Sequence, residues 1–93
     1  MATTTLTPVD ARMLKACNYA ARGLRVRCDF LEDIIFSLPV NLSEIPDDVF
    51  GPVWDALREA FDAHPYRPEG DAVATGAALF ARVREIVRPL TAQ

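Results

Sequence analysis

Ninety-three residues, 51% hydrophobic and 25% charged, leave room for one core and are too apolar for disorder, so residues 1–93 read as a single globular domain. A formal net charge of -3 excludes a protein whose whole surface is built to coat nucleic acid or anionic lipid. The two cysteines, Cys17 and Cys28, are too few for the disulfide framework of a small secreted domain and fit no CxxC spacing.

The first eight residues lack the basic start and apolar stretch of a signal peptide, and no run approaches the length of a membrane span. The expected location is therefore cytoplasmic, without membrane contact, and residues 1–7 are expected to be flexible. Thr7, Pro8 and Asp10 then form a helix start: a capping oxygen, a proline suited to the first helical position and a carboxylate at the positive end of the dipole. From there Leu14, Cys17, Ala21, Leu24, Cys28, Leu31, Ile35 and Leu38 step by 3 and 4, an apolar seam whose phase does not change across Gly23. No capping residue follows Gly23 either, so the spacing predicts one helix over 8–38, roughly 45 Å long, closed by Pro39.

Residues 39–45 read as a loop. Pro46-Asp47-Asp48 resembles a first helical turn, and Gly51-Pro52 is expected to break the middle helix, which spans 46–63 as a turn at 46–50 followed by a helix at 52–63. Val53, Trp54, Leu57, Ala60 and Phe61 are its apolar stripe. A proline-stiffened connection covers 64–70, and Asp71 caps a last helix at 71–88 whose seam is Val73, Gly76, Phe80, Val83, Val87 and Leu90, ended by Pro89. No stretch alternates strictly, so the expected fold is all-α, a small helical bundle with one long N-terminal helix.

Catalytic chemistry finds no carrier. His64 is the single histidine and must serve any acid–base scheme alone, while the cysteines lie on an apolar seam about 16 Å apart along the expected helix. Asp29, Glu32 and Asp33 share a helix face at i, i+3, i+4, yet the Glu-x-x-His partner of a helical di-metal site is missing, and the four glycines form no phosphate loop. No catalytic residue, metal or cofactor is expected. A long helix followed by two shorter ones in about ninety residues resembles the outline of the small helical chorismate mutases, which implies an intertwined dimer with cationic side chains converging on a dicarboxylate. Arg12, Arg22 and Arg25 are what the long helix offers to such a site, and the middle helix carries mostly acids, so the resemblance is one of architecture.

Charge is segregated along the chain. Arg12, Lys15, Arg22, Arg25 and Arg27, five of the ten bases, fall within 12–27, and four of them share one helical sector able to track phosphates. Base contacts lack an evident carrier and no helix-turn-helix is recognisable, so nucleic acid is not the expected partner. Residues 28–62 hold nine of the thirteen acids against one base, Arg58. Asp29, Glu32, Asp33, Asp47, Asp48, Asp55 and Glu59 are the candidate acidic contacts, suited to a basic partner, and Tyr19, Phe50, Trp54 and Tyr66 the candidate aromatic anchors. A rod longer than its covering helices also calls for another surface, a partner protein or a second copy packed on the long helix. The sequence thus points to a non-catalytic protein-binding module: a regulator, adaptor or stoichiometric inhibitor. The alternatives are a phage or mobile-element inhibitor that blocks a nucleic-acid channel, a nucleic-acid-binding regulator, and a small helical enzyme of chorismate-mutase-like outline.

Overall fold

Thr7 caps as its position predicts: its Oγ1 accepts the Asp10 amide at 3.0 Å, Pro8 takes the first helical position, and helix α1 runs Pro8–Ala21 in the computed structural model, which describes residues 6–91. The expected flexibility of residues 1–5 lies outside the described residues. Three further helices follow, α2 Arg27–Ser37, α3 Asp47–Ala63 and α4 Ala72–Thr91, with a single 3₁₀ turn at Leu42–Glu44. Among the described residues there is no strand, and the all-α class stands.

The single rod expected over 8–38 is two helices. Gly23 adopts φ 74°, the Leu24 amide donates to Tyr19 O at 2.8 Å, and the Gly23 amide donates to Ala20 O at 3.1 Å. These two bonds are a Schellman close, in which a left-handed residue just past the helix satisfies carbonyls of its last turn. Burial explains why the break prevails over the unbroken seam. A straight rod keeps Leu31, Ile35 and Leu38 beyond the reach of the other helices; the bend returns α2 to the bundle and buries Phe30, Leu31, Ile34 and Ile35, with Leu38 just behind them. The cost falls on the seam positions nearest the bend, for Leu24 and Cys28 lie in solvent. Val26 opens α2 without a side-chain cap, so the missing capping residue does not prevent a new start.

Two proline expectations are also corrected. α3 runs unbroken through Gly51-Pro52, because a preceding residue without Cβ escapes the clash with the proline ring and the amide lost at Pro52 lies in the second turn of the helix, at an exposed position. α4 continues past Pro89 to Thr91, held there by the fully buried Leu90 and by Thr91 Oγ1, which donates to Arg88 O at 3.0 Å. Asp71 behaves as expected, its Oδ1 accepting the Ala74 amide at 3.1 Å.

The helices pack in a closed circuit, α1 on α2, α2 on α3, α3 on α4 and α4 back on α1. Ala16 and Ala20 keep the α1 surface low, and Gly76 meets Asn18 so closely that a Cβ there would collide with the amide oxygen, which brings the α1 and α4 backbones together. Phe30, Ile34, Leu57, Leu79, Val83 and Leu90 fill the centre, with the Phe30 ring 5.2 Å from Phe61. Val73, expected on the seam of the last helix, is 72% exposed, and Leu79 and Ile86 bury in addition to the seam.

The two cysteines separate in the same way. Cys17 is fully buried and its thiol is pushed up to about 12 by that burial, which leaves it protonated and inert; Cys28, expected on the buried seam, sits exposed in the first turn of α2. A disulfide-exchange reagent at pH 8 is expected to titrate one thiol per folded chain, Cys28, and the second only after unfolding. Two fast thiols, or one that survives Cys28→Ser, would show the seam open at Cys17.

Candidate functional site

Two grooves of opposite chemistry flank the bundle, and they share no helix. The first lies between α1 and α2, holds about 260 Å³, and is lined by Arg12, Lys15, Tyr19, Arg25, Asp33 and Phe36 with Ala16 and Ser37 at its base. The bend at Gly23 creates it by laying α2 beside α1. Arg25, on the linker, sets its guanidinium carbon 4.7 Å from the centroid of the Tyr19 ring while its Nε donates to Asp33 Oδ2 at 3.0 Å. Lys15 Nζ approaches the same ring at 5.6 Å. Stacked cations favour the electron-rich ring face, so Tyr19 gathers positive charge at the groove. Ser37 is tied down through its hydroxyl, which donates to Asp33 O. Across from Tyr19, Phe36 leaves 70% of its surface in solvent.

The second groove, between α3 and α4, holds about 390 Å³ and is apolar. Val49, Pro52, Val53 and Ala56 form one wall, Ile86 and Pro89 the other, with Asp48 at the edge. At about 100° per residue, Asp48, Asp55 and Glu59 fall within roughly 40° of one another and border Pro52 and Ala56, which makes them a single acidic rim. Asp47 projects from a different side of α3. Asp55 accepts from Arg58 one turn on at 3.2 Å; Asp48 and Glu59 make no ion pair among the described residues.

The remaining candidates are dispersed. Folding partly cancels the charge blocks, since Arg25 reaches Asp33 in the half-buried groove and Arg27 reaches Asp62 on α3 at 3.0 Å across exposed surface, where such a pair adds little stability. Asp29 and Glu32 stay exposed on α2, and Arg22 is exposed at the end of α1. Phe50 and Trp54 stack on each other at 5.8 Å, half-buried against the core. Tyr66 is 50% exposed, its ring lying against the Gly23 backbone. His64 ends α3, its Nδ1 2.8 Å from Ala60 O. Among the described residues no group of three metal-ligating side chains converges, and no helix is long and apolar enough to cross a membrane.

Sequence reasoning passed over Phe36 and the apolar groove. Phe36 falls off the apolar seam, and Pro52 and Pro89 read as helix breakers, a role that hid their position as groove walls. No protein-family model, curated protein or solved structure matches this chain, so its functional reading rests on the geometry of these two grooves.

Proposed function

We propose that the chain is a non-catalytic protein-binding module that takes an amphipathic segment of another protein into the α3/α4 groove. One observation carries the reading: an apolar channel walled by Val49, Pro52, Ala56 and Pro89 runs beside a rim of three acids. A helix with apolar residues at i, i+3/i+4 and i+7 suits such a channel, and Lys or Arg along one flank of that helix would answer the rim, setting orientation and encounter rate more than affinity. Self-association through a long helix loses its motive, because the overhanging rod that called for a second copy is absent.

Affinity capture from the native host tests the reading, with the wild-type chain returning one dominant partner. Ala56→Arg, which fills the half-exposed channel, is expected to abolish that capture, and the triple reversal Asp48→Lys, Asp55→Lys, Glu59→Lys to weaken it at least tenfold and slow association. Asp47→Lys, off the rim, is the matched control and leaves capture unchanged. Undiminished capture by Ala56→Arg removes the groove from the proposal.

A further inference from the structure

Arg12, Lys15 and Tyr19 on α1 and Arg22 at its C-cap recur at spacings of 3, 4 and 3, which sets them on one stripe roughly 15 Å long at 1.5 Å per residue. Arg12, Lys15 and Arg22 have no carboxylate partner among the described residues. Asp33 is the one carboxylate lining the adjoining groove, where Arg25 pairs with it; Asp29 and Glu32 lie exposed on the same face of α2, toward its N-terminal end. Beside this row of cations stands Phe36, 70% exposed on the facing helix and lining the same groove.

The occupant must therefore bring negative charge along a line and a flat apolar face beside it. A polypeptide of acids alone, such as polyglutamate, satisfies the cations and leaves Phe36 wet. A duplex presents phosphates but hides the faces of its bases in the stack. A single strand offers both, and 15 Å accommodates about four nucleotides at about 3.4 Å each, the lower end of single-strand site sizes.

We propose that the α1/α2 groove is a binding site for single-stranded nucleic acid, with Arg12 and Lys15 in the groove and Arg22 beyond its end on phosphates spaced along the strand, and Phe36 as the platform on which a base stacks. Phe36 is the base-contacting side chain that the basic cluster lacked when read from sequence alone. The site is independent of the α3/α4 groove, and the two readings stand or fall separately.

Fluorescence anisotropy with a labelled twelve-nucleotide oligothymidylate tests it. Binding at 50 mM salt is expected, falling with a log–log salt slope near -2, about 0.7 per phosphate neutralised by three cations. Lys15→Gln reduces that slope by about 0.7. Phe36→Ala weakens binding at least tenfold and leaves the slope unchanged, which separates stacking from charge. Both side chains are exposed, so their circular dichroism should match the wild type, and Arg22→Gln provides a second charge variant at the helix end. Absence of binding at 50 mM salt, full binding by Phe36→Ala, or competition by polyglutamate as effective as by unlabelled oligonucleotide would each overturn the proposal, the last in favour of an acidic polypeptide.

Discussion

Phe30→Ala is expected to remove about 3–5 kcal/mol of stability, the span for truncating a buried phenylalanine. Phe30 is 0% exposed at the first turn of α2, its ring 5.2 Å from Phe61 of α3. It anchors the helix that the Gly23 bend returns to the bundle, and it joins that helix to the far side of the core. Small domains hold only about 5–15 kcal/mol in total, so a loss of this size brings the chain near its unfolding threshold. Urea denaturation followed by circular dichroism measures it, with Phe36→Ala as the exposed counterpart expected to stay within about 0.5 kcal/mol. Equal midpoints for the two variants would mean that α2 is not docked through Phe30.

Gly23→Ala carries the second large effect. At φ 74° an L-residue costs about 1–2 kcal/mol, and a Cβ at this position would also stand 3.0 Å from the Tyr66 Cγ and Cδ2 atoms. The expected outcome is a drop in the denaturation midpoint equivalent to about 2 kcal/mol, the backbone penalty plus displacement of the ring. The two contributions separate by construction: in a Tyr66→Ala background the ring contact is gone and the backbone penalty remains. If Gly23→Ala instead matches the wild type, the left-handed turn does not fix the bend, and a helix continuous through residue 23 becomes the better description.

What was legible in the sequence was local. Thr7 and Asp71 cap where their side chains indicated, and the stripes on α3 and α4 bury largely as their spacing implied, because capping and amphipathic periodicity are encoded within a few residues. The failures are nonlocal. Leu24 and Cys28 keep the heptad phase through Gly23, so only the number of surfaces available to cover a rod reveals that the rod must bend. Pro52 and Pro89 look like stops when the cost of a lost amide is counted alone; the burial of Val53 and Leu90 immediately after them outweighs it. The candidate sites divide along the same line. Arg12, Lys15, Tyr19 and Arg25 meet in one groove because helix spacing already aligned most of them, whereas the acidic set separates over two helices and partly pairs with bases that a count along the chain had kept apart.

The circuit of helix contacts has a consequence for how the chain reaches its fold. Its most extensive helix–helix contact joins α1 to α4, the first element to the last. Gly76 of α4 lies against Asn18 of α1, so α1 stays incompletely covered until α4 docks on it. Closing that pair draws together segments more than fifty residues apart, and the entropy of so large a loop must be overcome before most of the core is sealed. Removal of residues 72–91 is therefore expected to strip α1 of its most extensive contact and leave the remaining helices open to proteolysis.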